Sequence, residues 1–333
     1  MEWYYGLLLF VGGWVAFWGF LAIVKGLVRQ VRGFTSQKYR GKHVLITGGS
    51  EGLGRELAAE LVGQGSRVTI ASRSEKKLKA AVEYINRIGS AESTSSLQSF
   101  PCDVTKESDV ENLVKFAKES FGPVDHVIAC AGVALTGRFA EKSMEDHRKS
   151  MDLNYFGALH AVYAVLPDMM SRRSGSICLV SSGAALTSYI GYGAYSPSKY
   201  ALRGLAEVLR NELKAHNIDV HIAYPANVES PGYALEQLTK PEETKAIEAG
   251  ETHQSPKKVA KLMLHGLKMG DYNNYCGALE VGLLGVFANG VTPRSNVFKD
   301  MCLYPLLFPI AFGARTYWDW EVCRQKYHKE TNS

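Results

Sequence analysis

The sequence predicts an α/β fold, a doubly wound parallel sheet with helices on both faces. Three observations predict it. Short apolar runs bounded by turn residues recur along the middle of the chain, as strands buried on both faces require. Segments of helical spacing separate them, so that strand and helix alternate from His43 to Val228, the pattern of parallel strands joined by crossovers. The first strand also runs directly into a glycine-rich turn, Thr47–Gly54, that opens a helix.

The elements follow in order. From Trp3 to Val24 no residue is charged, a length that spans ~30 Å of hydrocarbon as a helix, so residues 1–24 are expected to form a transmembrane anchor. Lys25, Arg29, Arg32, Lys38, Arg40 and Lys42 follow it and make 25–42 a basic linker. A signal peptide carries its charge before the apolar run; charge placed after it puts the bulk of the protein on the cytosolic side. The domain of residues 43–270 begins with the strand His43–Thr47 and a helix on which Leu53, Leu57 and Leu61 share a face. SRVTIASR is the second strand, Glu75 to Ile88 a charged helix, and LQSFPCDV the third strand. A helix from Asp109 to Phe121, the strand in VDHVIACAG and one long helix from Met144 to Met170 come next. The strand in SGSICLVSSG, a helix over Ala194–His216 and the strand in IDVHIAYPANV complete the alternation. Residues 229–250 read as one or two short helices broken at Pro241, a candidate lid, and Ser255–Met269 as another helix. In the tail, 271–333, Gly277–Thr292 carries Glu280 and Met301–Ala314 carries Pro305 and Pro309. Neither is a clean spanning helix, and the tail is expected to contact the membrane lipid bilayer.

Composition excludes several classes. The chain has 333 residues, 46% of them hydrophobic, and a net charge of +5. No run of cations with interleaved aromatics suggests nucleic acid. The six cysteines show neither C-x-x-C nor zinc spacing, so no metal is expected, and reduced thiols fit a cytosol-facing domain. His221, on a strand, reads as a packed histidine.

Two stretches carry chemistry. In YSPSK, Tyr195 and Lys199 are one helical turn apart, and Pro197 fits the first turn of a helix. A neighbouring ammonium is expected to lower the tyrosine's pKa and ready it for proton transfer. In TGGSEGLG, Gly48, Gly52 and Gly54 allow a phosphate close to the backbone at a helix N-terminus. The second strand ends in IASRS without an acidic residue; Arg73 and Lys77 there suit a ribose 2′-phosphate, and so NADP(H) over NAD. Glu51, inside the turn, is discordant with a nearby phosphate.

TGGSEGLG, CDV at 102–104, ACAG at 129–132, LNYFG around Asn154, VSSG containing Ser182, YSPSK and AYPANVES, in this order, resemble the short-chain dehydrogenases/reductases over about residues 40–235. The resemblance implies a Rossmann fold and an NADPH-dependent ketone reductase. It makes Tyr195 the proton donor and acceptor, has Lys199 lower its pKa and hold the nicotinamide ribose, and has Ser182 hold the carbonyl oxygen; the adjacent Ser181 leaves that assignment open by one residue. Asn154 would kink its helix and hold a water linking Lys199 to solvent. Gly48, Ser50, Glu51, Gly52, Leu53, Gly54 and Gly132 would hold the cofactor, with Asp103 and Val104 bordering the adenine and Val228 the nicotinamide. Ala129 and Cys130 stand where the family has asparagines, which is expected to loosen the strand-end contacts, and Ala226 where many members have glycine. The anchor, the segment Tyr233–Glu248 and the apolar tail resemble the family's sphingolipid-pathway branch, especially its fungal form. That implies a long-chain 3-keto-2-amino-1-alcohol as substrate, at the endoplasmic reticulum membrane with the catalytic domain facing the cytosol. Family members pair through two long helices, here about 145–170 and 195–216, so a homodimer or homotetramer is expected. Three rival readings are a 3-ketoacyl-CoA reductase, a steroid or retinoid ketone reductase, and a membrane-tethered NADPH-binding protein without turnover.

Overall fold

The computed structural model describes residues 38–88, 96–251, 253–288 and 297–331, together with positions 13, 17, 20 and 24. All but those four positions of the expected anchor, most of the linker and most of the loop at 89–96 lie outside the described residues.

Seven strands form one parallel sheet in the order β3-β2-β1-β4-β5-β6-β7. They are β1 (His43–Thr47), β2 (Arg67–Ser72), β3 (Leu97–Pro101), β4 (His126–Ala129), β5 (Gly175–Val180), β6 (Ile218–Ala223) and β7 (Asn273–Asn274). β1 is central and buried along its whole length; its Ile46 pairs with Ile70 on one side and Ile128 on the other. The strand order reverses between β1 and β4, and in such sheets ligands settle at the carboxyl ends beside that switch point. β7 belongs to the tail segment, too short to leave a periodic signal, and pairs with Ile222 and Ala223.

The helices are α1 (Gly52–Gly63), α2 (Glu75–Ile88), α3 (Glu107–Phe121), α4 (Met144–Met151), α5 (Gly157–Arg172), α6 (Tyr195–Leu213), α7 (Pro231–Thr239), α8 (Glu242–Glu248), α9 (Pro256–Lys268), α10 (Leu279–Ala288) and α11 (Val297–Thr331). One core joins the sheet to α3, α5 and α6 through Leu113, Val165 and Leu202. The other joins it to α1, α2 and α9 through Leu57, Ile85 and Met263. Tyr39, at the linker's end, is buried in this second core and its carbonyl accepts from Ser66 Oγ.

The long helix expected over Met144–Met170 is interrupted. A π-helical turn, Asp152–Phe156, separates α4 from α5 and contains Asn154; such turns are frequent at functional sites. The break between α7 and α8 falls at Pro241, as the sequence predicts. Each of α7 and α9 begins with a serine cap followed by proline: Ser230 Oγ accepts from Tyr233 N, and Ser255 Oγ from Lys258 N. Among the described residues no helix is long and apolar enough to cross a membrane. His221 is packed, its Nδ1 2.7 Å from the Asp271 carbonyl oxygen.

Candidate active site

A cavity of about 1020 Å³ opens at the carboxyl ends of the strands. Its walls come from the turn after β1, the ends of β2 and β5, the loops after β4 and β6, the start of α6, the pair α7–α8, and the tail helices α10 and α11.

At one end the walls are mostly backbone. Gly48 has φ +70°, a conformation that disfavours side chains, and a Cβ there would come within 2.8 Å of Ala131 Cα. A Cβ on Gly54 would collide with the Gly48 carbonyl oxygen. Thr47 Oγ1 accepts from the N–H groups of Cys130 and Ala131, each at 3.2 Å, and ties the loop after β4 to the glycine turn. The strand-end contacts expected to be loosened by Ala129 and Cys130 are therefore made by Thr47. Ser72 Oγ, on the wall at the end of β2, is buried and has no hydrogen-bond partner among the described residues, a polar atom open to a ligand. This cradle fits a dinucleotide.

Of the residues expected to bind cofactor, Gly48, Ser50, Glu51, Gly52, Leu53, Gly54, Arg73, Lys77, Val104, Gly132 and Val228 all line the cavity, as do Tyr195 and Lys199. Asp103 does not; its Oδ1 accepts from Thr105 N and Oγ1. Lys77 Nζ lies 2.7 Å from Glu51 Oε2, so the discordant Glu51 is neutralised by one of the two cations assigned to the 2′-phosphate. Arg73 is exposed at the rim.

At the centre, Tyr195 is the first residue of α6, and Lys199 follows one turn later on the same face. Lys199 Nζ lies 5.7 Å from the centroid of the Tyr195 ring and donates to the Val180 carbonyl oxygen at 3.0 Å. At Tyr195 burial dominates: it raises the phenol above its ordinary range, the Ser182 hydroxyl draws it part of the way back, and Glu236 adds to the rise. Lys199 is itself desolvated, which brings its pKa down to about 8. Tyr195 is thus a firmly protonated donor rather than a readied phenolate.

The two adjacent serines have different partners. Ser181 Oγ donates to the Lys199 carbonyl oxygen at 3.0 Å. Ser182 Oγ accepts from Ala184 N at 3.1 Å and lines the cavity together with Tyr195. Asn154 is fully buried behind the wall: Oδ1 accepts from Val133 N at 2.9 Å, and Nδ2 donates to Val133 O and Ser198 Oγ. A Cβ on Gly132 would sit 2.8 Å from Asn154 Oδ1 and 3.2 Å from Lys199 Nζ, so both flank that glycine.

The far end holds what sequence reasoning missed. The Tyr192 ring lies 5.9 Å from that of Tyr195, tilted at 45°, and its hydroxyl is 2.9 Å from Glu236 Oε1 and 2.5 Å from Glu248 Oε1, between which its one proton is shared. Lys240 Nζ, its side chain fully buried, reaches the same two carboxylates at 2.8 and 2.6 Å. Burial opposes its charge, yet Glu236 and Glu248 hold its pKa above the ordinary value. The i,i+4 spacing of Glu236 and Lys240 was the one signal in the sequence that could have found this cluster. Arg138 clamps Glu243 of α8 with two bonds of 2.7 and 2.8 Å. Beyond these groups Leu284, Phe287, Leu307, Ala311 and Trp318 make an apolar wall.

Residues 42–240 match the profile of the short chain dehydrogenases. The chain is 38% identical to 3-ketodihydrosphingosine reductase of Dictyostelium discoideum over 87% of this chain and 90% of that protein. It is 38% identical to 3-dehydrosphinganine reductase of Danio rerio over 79% of each, and 37% identical to 3-ketodihydrosphingosine reductase of Cryptococcus neoformans over 78% of each. Among solved structures, a short-chain dehydrogenase/reductase from Burkholderia phymatum in complex with NAD superposes with a TM-score of 0.66 at 23% identity, covering 75% of this chain and 93% of that one. ElxO with NADP bound superposes with a TM-score of 0.60 at 24% identity, covering 70% and 93%.

Proposed function

The chain belongs to the short-chain dehydrogenase family, and from that premise we propose that it reduces 3-ketodihydrosphingosine to dihydrosphingosine in sphingolipid biosynthesis, with NADPH as the reductant. It is an NAD(P)-dependent ketone reductase. The observation that carries the substrate is the convergence of Ser182, Tyr195 and Lys199 on a cavity that continues past a charged cluster into an apolar wall, together with relatives of that name over most of the chain.

The roles follow from the geometry. The nicotinamide supplies the hydride. Ser182 and Tyr195 hold the carbonyl oxygen, on which negative charge builds. The raised phenol keeps its proton until that oxygen becomes basic enough to take it. Lys199, one turn along α6, holds the ribose and keeps a positive charge beside the proton donor. Asn154 fixes the loop at Val133 through both its amide atoms and positions the wall next to Lys199. The glycine turn with Ser50, Glu51 and Leu53 takes the pyrophosphate, Val104 the adenine and Val228 the nicotinamide side. Arg73 favours NADPH, since Lys77 is already paired.

Residues 1–24 anchor the protein in the endoplasmic reticulum membrane with the catalytic domain facing the cytosol. The tail lies on the same bilayer: Leu306, Phe308 and Ile310 of α11 and Leu235 and Leu238 of α7 are large, apolar and exposed. The helices α7 and α8 form a lid over the substrate. Pairing through α5 and α6 would cover Tyr163 and Val208, which are exposed, whereas Leu209 belongs to the core.

The test is oxidation of NADPH, and separately NADH, by the purified protein with 3-ketodihydrosphingosine in detergent. Rapid turnover with NADPH, little with NADH, and a Tyr195→Phe protein that binds NADPH but is ~100- to 10,000-fold slower is the expected result. NADPH binding without turnover by the wild type overturns it.

A further inference from the structure

We propose that Glu251 and Glu280 bind the ammonium group that sits beside the ketone of the substrate, and thereby select an amino-ketone over an uncharged long-chain ketone. This rests on the function proposed above, which supplies the cation.

Besides Glu51 in the glycine turn, Glu236, Glu248, Glu251 and Glu280 line the same cavity as Tyr195. They are not equivalent. Glu236 and Glu248 share the Lys240 ammonium and the Tyr192 hydroxyl, and Glu248 also accepts from Tyr189 at 2.9 Å. Glu251 receives neutral donors: Asn227 Nδ2 at 2.8 Å and the Tyr189 hydroxyl at 3.4 Å. Glu280 Oε1 is buried and, among the described residues, accepts no hydrogen bond. Among the described residues no ion pair reaches either Glu251 or Glu280. Lys240 thus bonds Glu236 and Glu248, and the two carboxylates that it does not bond are those left for a ligand.

The unmet charge is costly. Burial, then the neighbouring Glu248 and Glu280, push the Glu251 carboxyl up to about 7. A cation entering between Glu251 and Glu280 would relieve this repulsion and satisfy the orphaned oxygen.

Both carboxylates are tied to the catalytic centre. Val281, next to Glu280, has its Cγ2 3.3 Å from where a Cβ on Gly183 would stand, and Gly183 follows Ser182. Glu251 is held by Asn227, the neighbour of Val228 on the cavity wall. In the substrate the ammonium is one carbon from the carbonyl that Ser182 and Tyr195 would hold. Tyr189, which bonds Glu251, packs against Trp318 at 5.2 Å, so the polar headgroup site passes directly into the apolar wall.

The experiment compares 3-ketodihydrosphingosine with the equally long 1-hydroxy-3-ketone that lacks the amine, using wild type, Glu251→Gln and Glu280→Gln with NADPH in detergent. Wild type should show a KM ~10- to 100-fold lower for the amino-ketone, the effect of a charge-assisted hydrogen bond. Each glutamine variant should raise that KM about tenfold, with kcat and the KM for the amine-free ketone nearly unchanged. Equal KM values for the two ketones in wild type overturn the proposal, and so do variants that raise both alike. The wild-type comparison stands even where a variant fails to fold, which NADPH binding reports. Wild type that reduces the amine-free ketone but not the amino-ketone overturns the functional reading and this proposal together; wild type that reduces both equally overturns this proposal alone.

Discussion

The two ends of the cavity are built from different materials. The cofactor end is a backbone device: a turn whose Gly48 has positive φ, a Gly54 with no room for a Cβ, and Thr47 clasping the loop after β4. The substrate end is a side-chain device, in which Lys240, Glu236, Glu248, Tyr192 and Tyr189 join α7 and α8 to the segment before α6. A pyrophosphate asks for N–H groups at a helix start, and glycine spacing supplies them. A lipid headgroup asks for particular charges at particular points, and those come from residues far apart in the chain. The first device tolerates no added atom; the second tolerates no lost charge.

Removing that charge should have the largest effect. Lys240→Met leaves Glu236 and Glu248 facing each other in a buried site, and breaking a buried pair costs about 3–5 kcal/mol. Denaturant unfolding should show a loss of that order, with NADPH affinity in the surviving folded protein close to wild type. A loss below about 1 kcal/mol would show that α7 and α8 do not depend on their buried ammonium. The opposite perturbation is smaller. Gly54→Ala forces the glycine turn to shift, an overpacking cost of about 1–3 kcal/mol. It should appear as a ~10- to 100-fold weaker affinity for NADPH by fluorescence titration, with the lid cluster undisturbed. Unchanged affinity would break the contrast between the two ends.

The same contrast explains what was legible in the sequence. Six of the seven strands, most of the crossover helices, the glycine turn and the Tyr195–Lys199 spacing are local patterns, and each falls where periodicity and turn chemistry place it; Ser182 was legible only through the family resemblance. β7 was not legible, because two asparagines on an edge carry no alternation. Nor was the charged cluster: Tyr189, Glu248 and Glu251 have no fixed spacing from Tyr195, and only folding brings them together. The burial of Tyr195 and Lys199 was not legible for a related reason. The i,i+4 spacing gives their proximity but not the desolvation that raises the phenol and lowers the ammonium.

The smallest effect distinguishes compensated from uncompensated charge within the substrate end. Glu251 has an ordinary pKa of 4.5 and is raised to about 7 in the folded protein by burial, Glu248 and Glu280, with Lys240 and the Tyr189 hydroxyl opposing. Between these two values the folded state holds a proton that the unfolded state has lost, so stability falls as pH rises from about 4.5 to about 7. After allowance for partial exposure, the effect is about 1–2 kcal/mol. His126 and His221, both lowered to about 4 by burial, act in the opposite sense, adding stability as pH rises towards 6.5. Their contribution is common to wild type and Glu251→Gln, so it cancels in the difference. Thermal unfolding of the two proteins should coincide below about pH 4.5 and diverge through pH 7, with the glutamine variant the more stable above it. A difference that stays flat across that range would mean that Glu251 is as well compensated at rest as Glu236 and Glu248, and that this end of the cavity holds no charge in reserve for a ligand.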